Sequence, residues 1–541
     1  MKKDSFLKGT LIASIAIIIS KILGVLYVIP FYKIIGENGG VLYSYAYNIY
    51  NLFLNISTAG IPIALSMIIS EYLALKKFDA KERTFKLSQK IILTFSILSF
   101  LIVFIFANNI AQFLVKGVEG ANSIKDISLV IRTISVALII TPYISVLRGY
   151  LQGHKFISPG SISQVWEQLI RIGVILIGSY ISINILKTSI PVGVSVALTG
   201  AFFGALGAYI YLKVKIVKNK KLFEKDEKKD KDVSNKQIAK KIIYYCVPLI
   251  IISITNDLYN IVDMKLIIKG LYMIGTKAED AELIASIICT WAPKICMLIS
   301  AISIGLATSL IPHIIESYTK KDYKKTNEIF NDAISTMLVI TLPLSIGLMI
   351  FSKDVYYIFY GQSTYGPKIM IVSVIVSLWL SILSVMNTAL QGFKKFKLVI
   401  ISTIIGLVIN TILDIPLILL LNKLNLTPYY GTMIATIIGA TISALIILIY
   451  LKKEINFSYK KIRRNFKKIL IPLLSMTIVA LAFNYFTPYI ENRIILIIKC
   501  AFIGIIGGLI YFIGLDKNNG LNQIFGKDQI IRIKKKLKLI K

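Results

Sequence analysis

The stretch from Ser163 to Arg171 places Gln164, Glu167, Gln168 and Arg171 at intervals of three and four residues, while Val165, Trp166, Leu169 and Ile170 fill the positions between. On a helix this gathers a carboxylate, a guanidinium and two amides onto one face, which cannot point into lipid. Such a face either holds polar cargo or pairs with itself, and Glu167 and Arg171, one turn apart, are spaced for an ion pair of their own. Lys21, in Ser20-Lys21-Ile22-Leu23-Gly24, is a second charge inside an apolar run, too far from either end to reach water easily. An ammonium there suits an anionic group in a wet cavity, and a buried pair with Glu167 is the structural alternative. Asn410 and Asp414, again one turn apart, can present two hard oxygens to one point, as a small cation requires. Asp414 also precedes Ile415-Pro416, so it can equally serve backbone groups released by the proline.

All of these residues lie in lipid-like sequence, and the composition explains why. Of 541 residues, 56% are hydrophobic and the mean hydropathy is +0.73, above the roughly 45–50% apolar content of soluble chains. Apolar runs of about 20 residues, the length that crosses a bilayer, recur from end to end. This predicts an all-α polytopic membrane protein. A formal charge of +34 would direct a soluble protein to nucleic acid. Here Lys and Arg collect in every second connection between runs, as cytoplasmic loops do, and nucleic acid is set aside as a partner.

Fourteen helices are predicted, near 9–32, 41–70, 88–107, 127–150, 159–183 and 190–214, then 242–268, 283–315, 330–351, 368–391, 397–421 and 429–451, and finally 468–487 and 494–515. The domain reading is a six-helix lobe over 1–214, a charged cytoplasmic linker over 215–241 too polar to pack, a second six-helix lobe over 242–451, and two further helices with a basic cytoplasmic tail over 452–541. The basic connections put both termini on the cytoplasmic side of a multi-pass membrane protein. Leu151-Gln152-Gly153 with Lys155-Phe156 is echoed by Leu390-Gln391-Gly392 with Lys395-Phe396, and Glu71-Tyr72 by Glu316-Ser317-Tyr318. Halves that repeat after an even number of crossings share one orientation, which is the parallel pseudo-twofold arrangement of an alternating-access carrier.

The rest of the inventory points away from enzymes. External segments such as 108–126 and 270–282 are short loops, and no nucleophile–base set or glycine-rich phosphate loop occurs. Cys246, Cys289, Cys296 and Cys500 lie in apolar segments, and with His154 and His313 they form no disulfide or metal-ligand spacing. Gly204 and Gly207, and Gly504, Gly507 and Gly508, are expected to be close-packing surfaces between helices. Tyr43, Tyr45, Tyr47 and Tyr50 are expected to form an interfacial belt or gate at the outer end of the second helix. Ser158 before Pro159 reads as the cap of the fifth helix.

The segment Arg148-Gly149-Tyr150-Leu151-Gln152-Gly153, with Ser158-Pro159, Ser163-Gln164, Glu167-Gln168 and Arg171-Ile172, resembles the signature of bacterial polysaccharide-export and lipid-linked oligosaccharide flippases. These belong to the superfamily that includes the multidrug and toxin extrusion carriers. Ser20-Lys21-Ile22-Leu23-Gly24, Gly60-Ile61-Pro62 and Glu71-Tyr72 are similar to the lipid II flippase and stage V sporulation protein B-like branch. The resemblance runs along nearly the whole chain. It implies transfer of an undecaprenyl-pyrophosphate-linked precursor, most simply lipid II, from the inner to the outer leaflet, with the cell-wall synthesis machinery as a partner. It implies that Lys21 is the essential headgroup cation. A second basic position of many relatives is matched by Tyr27, so Arg132, Arg148 or Arg171, with Gln152, Gln164, Glu167 and Gln168, would complete the cavity. It further implies a sodium site at Asn410 and Asp414, matched more weakly by Asp263 and Thr436, sodium being the coupling ion and no other cofactor expected. A teichoic or capsular precursor is the near alternative substrate, and a cation-coupled multidrug antiporter the alternative function. The antiporter usually needs only twelve helices and an acidic cavity.

Overall fold

The computed structural model describes residues 15–16, 19–115, 120–219, 223, 233–487 and 490–525. Among them there are helices and no strand, because in hydrocarbon only a helix satisfies every backbone group from within its own segment. Thirteen helices are long and apolar enough to cross a bilayer among the described residues. One of these, Val28–Ala74, runs for 47 residues, about 70 Å at 1.5 Å per residue and more than one bilayer. It is broken at Gly36, where φ is +67°, and again at Gly60, where φ is +76°. The connection expected near 33–40 is thus a single glycine, with helix on both sides. The upstream part of the expected first helix falls partly outside the described residues.

The helices divide into two compact units, Met1–Trp291 with Asp414–Tyr429, and Ala292–Leu413 with Tyr430–Lys541. The first contains helical residues 19–26, α1 (Val28–Thr58), α2 (Ile61–Ala74), α3 (Phe78–Ile105), α4 (Ala107–Val115), α5 (Ile124–Ser135), α6 (Ala137–Gly153), α7 (Ile157–Tyr180), α8 (Ile190–Leu198), α9 (Gly200–Lys218), α10 (Asn235–Met273) and α11 (Ala278–Ser286). The second contains α12 (Ala292–Thr319), α13 (Tyr323–Ile350), α14 (Ser352–Tyr360), α15 (Gly366–Gly392), the first part of α16 (Phe396–Lys423), α17 (Tyr430–Ile455), α18 (Lys460–Phe486), α19 (Arg493–Lys517) and α20 (Gly520–Phe525). α16 passes from the second unit to the first at Asp414.

Helix contacts in the first unit rest on missing side chains. A Cβ on Gly149 would lie 2.9 Å from the Pro62 backbone and one on Gly153 would lie 2.8 Å from Ile69, so this four-residue glycine step is what lets α6 touch α2. Leu65, Ile68 and Leu151 bury an apolar cluster around the step. Ser123 and Ser234 start α5 and α10 as capping boxes with Asp126 and Gln237. The fifth predicted helix starts one residue earlier than its expected cap: α7 begins at Ile157, leaving Pro159 at the third position, where the missing N–H is still harmless. In the second unit, α18 and α19 pack on α13 through Leu473, Met476 and Tyr511, whose hydroxyl donates to the Val339 carbonyl at 2.9 Å.

Four helix ends share one geometry. After α2, α6, α12 and α15 a lysine takes the left-handed conformation: Lys76, Lys155, Lys321 and Lys394, with φ between 56° and 66°. Each donates to the carbonyl three residues back, and the next residue donates five back: Lys77 to Tyr72, Phe156 to Leu151, Asp322 to Ser317 and Lys395 to Leu390. Glycine usually fills this position; lysine costs about 1 kcal/mol of backbone strain but brings a cation to the negative end of the helix. The echoes read in sequence are therefore repeated caps. Their register is corrected, however: Lys155 corresponds to Lys394, not Lys395.

Two expected loops also carry structure. Segment 108–126 contains most of the short helix α4, and the linker over 215–241 is entered by α9 and α10 from its two ends. Its Phe223 is buried against Tyr150, His154 and Phe156, and its carbonyl accepts from the buried Lys81 ammonium at 2.6 Å.

Candidate functional site

α7 presents the expected polar face. Trp166 and Leu169 are exposed on its opposite side, as lipid-facing residues are, while Gln164, Glu167, Gln168 and Arg171 are half-buried. Glu167 accepts from Arg171 at 2.8 Å and, through its other oxygen, from Arg148 of α6 at 2.8 Å. Arg148 Nε donates to Ser163 Oγ at 2.9 Å, which fixes the guanidinium from α7 as well. One carboxylate thus organises two cations. The local Glu167–Arg171 pair is present, but the sequence spacing could not show Arg148 as the second partner.

The helix is held in place by α9. A Cβ on Gly204 would lie 2.6 Å from the Glu167 carbonyl and one on Gly200 would lie 2.8 Å from that of Arg171. Gly204 and Gly207 are close-packing positions as expected. Gly504 and Gly508 are not: nothing lies within 4 Å of an added Cβ, and only Gly507 meets a neighbour, Met476.

Lys21 is partly exposed and makes no hydrogen bond or ion pair among the described residues; the alternative of a pair with Glu167 is replaced by the two arginines. Gly24, three residues on and therefore on the same helical side, lies against the Gln168 amide, 3.2 Å from an added Cβ. The Lys21 helix and the polar face of α7 are neighbours. Two guanidiniums meet one carboxylate, and Lys21 brings a third cation on the neighbouring helix. Arg171 Nε is buried with no acceptor among the described residues, a donor available to a ligand.

The tyrosines are not an interfacial belt. Tyr43, Tyr45 and Tyr50 are buried within the first unit. Tyr43 shares a 3.0 Å hydroxyl contact with Tyr27, stacks on Tyr47 and packs against Trp291, while Tyr50 donates to Thr141 at 3.2 Å. Tyr43, Tyr47 and Tyr50 lie within electrostatic reach of Arg171. Together they make an aromatic wall near Arg171, with the Tyr43 and Tyr50 hydroxyls engaged by Tyr27 and Thr141. Tyr27, at the position where a second cation was sought, belongs to this wall.

Two expected members lie elsewhere. Arg132 is exposed on α5 with its guanidinium 6.0 Å from the Phe104 ring, and Gln152 is exposed at the end of α6. Arg132 belongs to a different helix, and Gln152, although on the same side of α6 as Arg148, lies one turn further on at the exposed helix end. Other charged residues in the spans find local partners: Asn55 donates to Asp257 at 2.7 Å, and the Lys265 ammonium lies 3.4 Å from the Phe113 ring centre.

Of the four residues expected at a cation site, Asp263 and Asp414 both belong to the first unit, where their buried carboxyls face each other beside Tyr259 and Cys289. Asn410, one turn before Asp414 on α16, and Thr436 on α17 are buried as well. Facing carboxylates in a dry interior require a proton or a cation between them. The hard carboxylate oxygens are donors that fit sodium.

Comparison with known proteins agrees with this fold. The chain is 28% identical over 536 residues to the lipid II flippase MurJ of Bacillus subtilis (strain 168), covering 97% of each chain, and 25% identical over 372 residues to its stage V sporulation protein B, covering 67% of this chain and 68% of that one. A solved lipid II flippase MurJ in an inward closed conformation superposes with a TM-score of 0.63 at 21% identity, covering 96% of this chain and 100% of that one. An inward-facing multidrug resistance MATE family transporter superposes with a TM-score of 0.64 at 15% identity, covering 82% and 98%. These relatives are transporters, not enzymes, and residues 248–415 match the MatE family. The polysaccharide biosynthesis protein family matches residues 6–317, more than half of the sequence, and the chain belongs to that family.

Proposed function

We propose that this protein is a flippase for an undecaprenyl-pyrophosphate-linked cell-wall precursor, lipid II being the substrate. The observation that carries the reading is the net-positive set of Lys21, Arg148 and Arg171 with the single carboxylate of Glu167, on neighbouring helices of the first unit and beside a wall of tyrosines. A pyrophosphate crossing about 30 Å of hydrocarbon unaided faces a desolvation cost of tens of kcal/mol. Fixed cations in a wet cavity replace part of its hydration while the isoprenoid tail stays in lipid. Glu167 holds both guanidiniums in place, leaving Lys21 and Arg171 Nε to meet the headgroup.

The protein sits in the bacterial cytoplasmic membrane with both termini inside and works beside the cell-wall synthesis machinery. An interior-negative potential favours outward movement of an anion by about 2.3 kcal/mol per charge per 100 mV. Asp263 and Asp414 would hold sodium as the coupling ion. Its charge would relieve the facing carboxylates and bias the return step. An antiporter for cationic drugs would need the opposite charge at the α7 cluster.

Depletion of the protein followed by quantification of lipid-linked precursors tests the reading. Lipid II should accumulate in the inner leaflet, and Lys21→Ala should fail to clear it while remaining at normal abundance. Accumulation of a teichoic or capsular precursor instead would reassign the substrate, and no accumulated precursor would overturn the flippase reading.

A further inference from the structure

A second, apolar site lies in the first unit and shares no residue with the cation cluster. α2, α3 and α10, with the end of α1, enclose a groove of about 250 Å3. Ile61, Leu65, Ile92, Phe95, Ile243 and Val247 give it an almost wholly apolar lining. Phe95, Ile243 and Val247 are exposed although they lie in membrane spans, so the groove opens toward the bilayer.

The groove has a charged end. On α10, Lys236, Lys240, Ile243, Val247 and Ile250 follow one another at steps of four and three, forming a single helical stripe. The last three line the groove, and the two lysines continue its line toward the start of the helix. Both lysines are exposed and have no hydrogen bond or ion pair among the described residues. The neighbouring Lys241 is different, being paired with Glu71. Lys240 stands about 10 Å along the axis from Val247, the reach from a lipid phosphate to its upper acyl carbons. The first turn of α10 adds its own partial positive charge.

We propose that this groove is a binding site for an anionic phospholipid, whose acyl chain lies between α2, α3 and α10 and whose phosphate meets Lys236 and Lys240. Charge complementarity selects the headgroup and the apolar lining holds the chain. The site is a resident-lipid site, separate from the path of the transported headgroup.

Native mass spectrometry of the full-length protein, supplied with phosphatidylglycerol or phosphatidylcholine, tests the assignment. The unmodified protein should retain one phosphatidylglycerol at least about five-fold more than phosphatidylcholine, the excess expected when one phosphate meets two exposed lysines. Lys236→Gln combined with Lys240→Gln, both at the surface and harmless to folding, should abolish that preference. Ser88→Phe, which fills the groove, should reduce retention of both lipids. Equal retention by the unmodified protein, or an intact preference in the double variant, would overturn the proposal. So would displacement of phosphatidylglycerol by an equal concentration of undecaprenyl phosphate, which would make the groove a seat for the substrate's tail.

Discussion

Replacing Glu167 by leucine should separate structure from transport at the cation cluster. Glu167 is 13% exposed and each arginine 19%, so the two 2.8 Å pairs are only partly screened. A pair of charges near 4 Å interacts by about 4 kcal/mol at an effective dielectric of 20, and removing one partner of a buried pair typically costs about 3–5 kcal/mol because the other is left uncompensated. Glu167→Leu strands two guanidiniums, with only Ser163 left as an acceptor for Arg148, and should lose about 3–5 kcal/mol. Glu167→Gln keeps one neutral acceptor and should lose about 2 kcal/mol. Lys21→Met removes a charge that has no partner among the described residues and should change stability by less than about 0.5 kcal/mol while abolishing transport. Denaturant-driven unfolding of the purified protein in detergent measures the first two effects, and precursor clearance in cells measures the third. Adding Arg148→Met to Glu167→Leu should recover part of the loss, since it removes one stranded cation. If Glu167→Leu is as stable as the unmodified protein, or Lys21→Met is equally destabilised, the division between an organising carboxylate and a free headgroup cation is wrong.

Gly204→Ala should destabilise by about 1–3 kcal/mol through its 2.6 Å approach to the Glu167 carbonyl, whereas Gly504→Ala, with open space around it, should be neutral or slightly stabilising by unfolding measurements. Asp354 and Lys499 form a 2.8 Å ion pair, 7% and 9% exposed, that joins α14 to α19; Lys499→Met should cost about 3–5 kcal/mol, and adding Asp354→Leu should restore most of it, as read by the same measurement. Sodium should raise the melting temperature more than potassium does, and Asp414→Asn should erase the difference; an equal response to both ions in the unmodified protein would leave membrane potential as the sole driving force. Cysteines at Leu186 and Asn422 should react with an impermeant thiol reagent in intact cells while one at Ser234 should not, and labelling at Ser234 would invert the proposed topology.

Membrane insertion and the face of α7 were legible without coordinates because both depend on local periodicity. A bilayer demands about 20 apolar residues per crossing, and a polar residue every third or fourth position marks a face that lipid cannot cover. Gln164, Glu167, Gln168 and Arg171 announce themselves in this way; the paired helix ends showed instead as the echo of Leu151-Gln152-Gly153 in Leu390-Gln391-Gly392, read with Lys155 against Lys395 where the backbone matches it to Lys394. Side-chain direction and partner choice required the fold. Arg132, Arg148 and Gln152 look alike as donors in the sequence, yet only Arg148 reaches Glu167: Arg132 is exposed on α5, and Gln152 lies one turn beyond Arg148 at the exposed end of α6. The tyrosines of α1 read as an interfacial belt because aromatic residues near a span end usually are; packing against Trp291 and Tyr27 makes them the inner wall of the site. Likewise, the approach of Asp263 and Asp414 depends on where α16 meets α10, close enough for Ile418 to press on Gly270, and residues about 150 positions apart carry no spacing rule that could foretell it. Periodicity records which side of a helix avoids lipid, and only tertiary packing decides what that side meets.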